Sequence, residues 1–195
     1  MAVQARIRNP LALTLALLAG CAGGPEAPSW QLNAVQALEA FKRDYLAGES
    51  TAAERDFEEA KASLKRTGRP DLLARAELVR CAVRAAALEF DDCPGFQALR
   101  QDAAPAEIAY ADYLAGKGAH QGGDDPLARL VAAAVGLRKA EIAPAQIQAA
   151  VDLSSAQGWA RPLLAWLGVQ AKRAEDAGDR ETAARLRRRM DLISR

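Results

Sequence analysis

The chain has 195 residues, with 26 basic and 25 acidic side chains and a formal net charge of +1 at pH 7. General nucleic-acid binding requires a strongly basic surface, so this balance argues against that class of function. The length is sufficient for one domain with a buried core.

The first 20 residues predict an export signal. Arg6 and Arg8 form a basic start without acidic residues, and an apolar run follows from Leu11 to Ala19. This run has the length of the hydrophobic region of a signal peptide, and it is far shorter than the roughly 20 residues that span a membrane. A buried first helix of the domain is the alternative.

Residues 18–21, Leu-Ala-Gly-Cys, resemble the lipobox of bacterial lipoproteins at all four positions. In that family the cysteine carries diacylglycerol, the chain is cut just before it, and the new N-terminus is acylated with a fatty acid such as palmitate. The resemblance implies that residues 1–20 are a lipoprotein signal peptide and that Cys21 is the lipidation site. Ala22, where some members have Asp, resembles the signal for the outer membrane. Residues 21–29 then form the lipidated cysteine and a flexible tether rich in Gly and Pro.

Residues 30–195 predict a single all-α domain, because apolar residues recur at helical spacing and no stretch alternates as a strand would. In the first helix, Trp30–Ala47, we expect Ser29 to be the N-cap and Gly48 to end the helix. The predicted core stripe of this helix is Leu32, Val35, Leu38, Phe41 and Tyr45. Prolines predict the first turns of five later helices, at Pro70, Pro94, Pro105, Pro126 and Pro144.

The first two helices resemble a tetratricopeptide repeat. Gly48, Ala53, Phe57 and Ala60 follow the spacing G-x4-A-x3-F-x2-A, in which small residues let two helices approach and the phenylalanine fills the gap. The stretch Thr51-Ala52-Ala53-Glu54 also fits a capping box at the start of the second helix. The resemblance implies antiparallel helical hairpins in a degenerate tetratricopeptide-like array, and an irregular helical bundle is the alternative.

Cys81 and Cys93 remain as a pair once Cys21 is assigned to the lipid. An even pair in an oxidising compartment favours a disulfide, and two free thiols are the alternative. A helix from Cys81 to Phe90 would carry the chain about 13.5 Å away, whereas bridged Cα atoms lie roughly 5.5 Å apart. A bridge therefore predicts that this helix ends near Ala87.

Two groups of residues are candidates for binding a partner. Trp159 and Trp166 are seven residues apart and share one helix face, which is either part of the core or the lining of a groove. The second group lies near the C-terminus and consists of Arg185, Arg187, Arg188 and Arg189. These arginines either end a solvated helix or contact an acidic protein or lipid phosphates.

The sequence indicates no catalytic constellation, no metal-ligand set and no cofactor site. His120 is the single histidine and lies in a glycine-rich stretch that predicts an exposed loop. Asp124 and Asp125 precede Pro126, so we interpret them as a helix cap rather than as metal ligands.

Together these features predict a lipid-anchored, periplasm-facing helical adaptor that binds a protein partner at the cell envelope and does not bind nucleic acid. A pilotin-like lipoprotein, or another accessory of secretion or assembly, is an alternative within the same class. A cell-wall enzyme or its activator is the rival from a different class. An enzyme would show a polar cluster with perturbed acidity in a cleft, whereas an adaptor would show an apolar or charged groove.

Overall fold

The computed structural model describes residues 28–120 and 122–194, and these residues form helices without any strand. This confirms the all-α prediction. The helices are α1 (Ser29–Ala47), α2 (Ser50–Lys65), α3 (Pro70–Ala86), α4 (Pro94–Gln97), α5 (Pro105–Leu114), α6 (Pro126–Arg138), α7 (Pro144–Ala156), α8 (Ala160–Asp176) and α9 (Arg180–Ile193). A short 3-10 turn at Arg100–Asp102 precedes α5. The predicted signal peptide and the lipidation site at Cys21 lie outside the described residues.

Most helix boundaries follow local signals in the sequence. Each of the five predicted prolines opens a helix, from α3 to α7. Gly48 ends α1 with a φ of 103°, which is easy for glycine because it has no Cβ. Asp125 caps α6 as predicted, since its side chain accepts a hydrogen bond from the backbone N–H of Ala128 at 3.0 Å.

Two predicted caps are wrong. Ser29 is the first residue of α1 rather than its cap, because Pro28 occupies the capping position. The capping box from Thr51 does not form, because α2 already begins at Ser50. Glu54, the expected partner in that box, instead accepts a hydrogen bond from Arg80 on α3 at 3.1 Å.

The third helix organises the core because two faces of it are buried. On one face, Ala76 and Val83 pack with α1 and α2 around Phe41 and Phe57. The other face belongs to a second buried cluster, which also contains residues of α4 to α8, and it consists of Ala74, Leu78, Cys81, Ala82, Ala85 and Ala86. Its many small side chains allow helices to approach on both sides.

The α1–α2 hairpin is tightly packed at the residues that resemble the repeat motif. Phe57, Ala60 and Ala53 are almost completely buried, and the ring centroids of Phe41 and Phe57 are 5.0 Å apart. This packing establishes a close crossing of two helices. The tetratricopeptide-like array itself stays a prediction.

The predicted core stripe of α1 is wrong in its first half. Leu32 and Val35 are 45% and 54% exposed, while the side chains that face the core there are Ala34 and Ala37. The prediction holds from Leu38 onwards, because Leu38 and Tyr45 are partly buried against the core and Phe41 is fully buried.

The cysteine pair forms the predicted disulfide, with 5.7 Å between the Cα atoms of Cys81 and Cys93. Helix α3, which contains Cys81, ends at Ala86, as the bridge requires. The chain then reverses through Leu88 and Cys93, which both adopt positive φ angles of 60° and 48°. Such angles disfavour residues other than glycine, so the covalent bridge and the surrounding packing hold a strained return loop.

Candidate partner-binding groove

A groove with a volume of about 440 Å³ lies between α7, α8 and α9. Pro144 on α7 and Leu186 on α9 supply apolar surface, Ile147 is buried beneath it, and the remaining lining is mostly polar. The full lining consists of Pro144, Ile147, Gln148, Gln170, Arg173, Thr182, Arg185, Leu186 and Arg189. Three arginines and no carboxylate therefore surround this groove.

The four arginines predicted from the sequence divide between two surfaces. Arg185 and Arg189 are four residues apart, so they share one face of α9 and both line the groove. Arg187 and Arg188 line a different hollow, together with Glu175 and Asp191. A helix turns by about 100° per residue, which places a run of consecutive arginines on several faces.

Arg173 is the residue of the groove that sequence reasoning missed. It comes from α8 and lies twelve positions before Arg185 in the sequence. A signal was available, because α8 and α9 form a hairpin around Gly178, and residues at equal distances from a hairpin turn face each other. Arg173 is five residues before that glycine and Thr182, also in the lining, is four residues after it.

The three arginines of the groove form no close ion pair within the described residues, although the charge of Asp179 is near enough to interact with that of Arg185. Among residues 28–120 and 122–194, no carboxylate oxygen lies within 4.0 Å of a side-chain nitrogen of Arg173, Arg185 or Arg189. By contrast, Arg187 in the other hollow approaches Glu175 at 2.5 Å. Three like charges without a directly paired carboxylate raise the local potential and attract anions.

The polar groups of the groove are already arranged. Arg185 donates a hydrogen bond to the hydroxyl of Thr182 at 3.1 Å. Gln170 donates its amide N–H to the side-chain oxygen of Gln148 at 2.8 Å, which links α8 to α7. Guanidinium groups bind carboxylates and phosphates with paired N–H donors, so the groove is chemically suited to an acidic ligand.

The tryptophans do not contribute to this groove. Trp166 is completely buried, and its indole N–H donates to the carbonyl oxygen of Ala86 at 3.2 Å. Trp166 is therefore a core residue and offers no surface to a partner. The sequence had allowed this helix face to be either core or the lining of a groove. Trp159 is half-buried at the start of α8, where it packs against both core clusters.

The disulfide lies beside a carboxylate in an arrangement that could be mistaken for a metal site. One ligand atom each of Cys81, Cys93 and Asp91 lies within 4.8 Å of the others. Metals take the thiolate form of cysteine, and both sulfurs are here bound to each other. Asp91 instead accepts a hydrogen bond from the backbone N–H of Cys93 at 3.0 Å and pairs with Arg84.

His120 is exposed, as the loop prediction requires, and its ring lies against two tyrosines. The ring centroids are 4.8 Å from Tyr110 and 5.2 Å from Tyr113. Burial, with smaller contributions from Tyr113 and Asp125, raises the pKa of Tyr110 to about 12. A tyrosine with that pKa is a weaker acid than usual, which makes it less suited to proton transfer near neutral pH.

No helix within the described residues is both long and apolar enough to cross a membrane. No protein-family model, curated protein or solved structure matches the chain.

Proposed function

We propose that this protein is a lipid-anchored adaptor of the bacterial cell envelope that faces the periplasm and is attached to the outer membrane through Cys21. Its groove between α7, α8 and α9 binds an acidic segment of a partner protein. The observation that carries this proposal is the convergence of Arg173, Arg185 and Arg189 without carboxylate partners. The lipobox resemblance supports the anchor, and the structure of that segment lies outside the described residues.

The lining of the groove has both a charged part and an apolar part. About 440 Å³ is within the size range of binding clefts, and the groove is open and lined by residues of three helices. The lining combines three arginines, which can pair with carboxylates, with the apolar side chains of Pro144 and Leu186. A protein segment that carries both acidic and apolar residues therefore satisfies both parts of the lining.

The anchor is tested by labelling. Cells that express either the wild-type protein or Cys21→Ala are grown with radioactive palmitate. Label should appear in the wild-type chain and not in the variant. The unmodified variant should leave the membrane fraction or accumulate as an uncut precursor. Absence of label from the wild-type chain contradicts the lipoprotein assignment.

The groove is tested with a fluorescein-labelled peptide of alternating Glu and Leu, titrated with protein and followed by anisotropy. Arg185→Glu together with Arg189→Glu should weaken binding by at least about tenfold, since each lost pair is replaced by a repulsion. The matched control is Arg180→Glu together with Arg188→Glu, because these lie on the same helix but line the other hollow. Equal weakening by both double variants would show only a general effect of charge.

A further inference from the structure

The N-terminal half of α1 leaves an apolar face uncovered. Leu32 and Val35 are 45% and 54% exposed, and they lie three residues apart on one side of the helix. The opposite side is already packed, since Ala34 and Ala37 are buried. No other large apolar side chains of α1 are comparably exposed within the described part of the chain.

This face belongs to a stretch without charge. Residues 28–38 contain no Asp, Glu, Lys, Arg or His, and the first ionisable residue of α1 is Glu39. In a protein with 26% charged residues, a stretch of 11 would contain about three. The side chains next to Leu32 and Val35 in the sequence are neutral, among them Gln31, Asn33 and Gln36, and Glu39, one turn after Val35, marks the end of the uncharged part of this face. Such a surface can enter an interfacial region without the cost of desolvating a charge.

The position of this face in the sequence limits its distance from the anchor. Six residues separate Cys21 from Pro28, and the seven steps from Cα to Cα between them can span at most about 25 Å. Leu32 and Val35 then lie about 5 and 9 Å along α1 from its first residue. Helix α1 is thus the first described element after Cys21, and its exposed apolar face is close to its N-terminal end.

We infer that the outer face of the N-terminal half of α1, with Leu32 and Val35, lies against the surface of the membrane that holds the Cys21 anchor. The inference rests on the lipid anchor of the proposed function. Amphipathic helix surfaces bury their apolar side chains about 5–10 Å into the boundary between headgroups and acyl chains. Two side chains alone bind weakly, but the covalent anchor makes their insertion an intramolecular step at high effective concentration.

This contact gives the helical domain a defined orientation relative to the bilayer. A tether alone would let the domain rotate freely above the bilayer. Contact at both the anchor and α1 restricts that rotation, so that one end of the α1–α2 hairpin stays at the membrane.

The test places a fluorophore on the proposed contact. Lipidated Leu32→Trp is reconstituted into vesicles of phosphatidylethanolamine and phosphatidylglycerol, with and without lipids brominated on the upper acyl chain. The emission of the tryptophan at position 32 is obtained by subtracting the spectrum of the wild-type protein from that of the variant. This emission should be blue-shifted, and it should be quenched when brominated lipid is present. The matched control is Leu192→Trp, because Leu192 is 73% exposed on α9 and lies beside Asp191.

The outcomes separate this inference from the proposal on which it rests. If position 32 is quenched no more than position 192 while Cys21 carries palmitate, the contact with the membrane is wrong and the anchor stands. If Cys21 carries no palmitate, the proposed function itself fails. If the body of Cys21→Ser sediments as a dimer and Leu32→Asp makes it monomeric, a second copy covers this face and the inference is overturned.

Discussion

The guanidinium group of Arg161 stacks on the ring of Tyr45, with 4.3 Å between its Cζ atom and the ring centroid, and its Nε donates to the carbonyl oxygen of that residue at 2.8 Å. The same side chain donates to the hydroxyl of Ser50 at 2.6 Å and approaches Glu89. One residue of α8 therefore holds the end of α1 and the start of α2, more than 100 positions earlier in the chain.

We expect Arg161→Ala to lower the free energy of unfolding by about 1–3 kcal/mol, because hydrogen bonds to charged groups contribute that much and several are lost together. Chemical denaturation followed by circular dichroism measures the change. Arg173→Ala is the matched control on the same helix, since Arg173 is exposed and its charge is unpaired within the described residues. Equal effects of the two variants would contradict a clamp at Arg161.

The disulfide should stabilise the fold by restricting the unfolded chain. Cys81 and Cys93 are separated by 12 positions, and closing a loop of that size contributes about 3 kcal/mol by chain entropy. We therefore expect Cys93→Ser to lower the midpoint of thermal unfolding. Mass spectrometry after alkylation should find no free thiol on either residue of the native protein. Rapid alkylation of both without reductant would contradict the bridge.

The close crossing of α1 and α2 predicts that a larger side chain destabilises the fold at Ala60 but not at Ala62. Ala60 is completely buried, so Ala60→Leu should cost about 1–3 kcal/mol by overpacking. Ala62 is exposed on the same helix, so Ala62→Leu should change stability little. Phe57→Ala should cost about 3–5 kcal/mol, the usual range for emptying a buried aromatic site. An unchanged midpoint for Ala60→Leu would remove the physical basis of the repeat resemblance.

The tyrosines predict how stability changes at high pH. Burial raises the pKa of Tyr45 and Tyr113 above their ordinary value, and that of Tyr110 to about 12. A raised pKa means that the folded state favours the neutral phenol. This contribution is complete below about pH 10, where tyrosine in an unfolded chain ionises, and it is lost as the pH rises towards 12.

Spectrophotometric titration tests this prediction, since Tyr45, Tyr110 and Tyr113 are all the tyrosines of the protein. The folded protein should form little tyrosinate at pH 10, and the signal should appear together with the loss of helical circular dichroism. The chain unfolded in guanidinium is the control and should titrate near pH 10. Ionisation of all three tyrosines at that pH in the folded protein would contradict the burial.

The sequence alone was enough to predict the helices and most of their ends. Proline fits the first turn of a helix, glycine fits the left-handed residue after its last turn, and an aspartate before Pro126 can reach the N–H groups that the helix leaves free. These are interactions within a few residues, so no knowledge of the fold is needed. The short reach between Cys81 and Cys93 likewise predicted where α3 ends, because a disulfide limits distance.

Only the tertiary structure decided which faces meet and which remain open. The apolar pattern of α1 does not reveal that Ala34 and Ala37, rather than Leu32 and Val35, face α2 and α3, because close helix packing selects small side chains over hydrophobic ones. The run of arginines near the C-terminus likewise does not show that Arg185 and Arg189 join Arg173 while Arg187 turns towards Glu175. Both outcomes depend on how α9 and α1 are rotated against their neighbours, and that rotation is set by packing between residues distant in the chain.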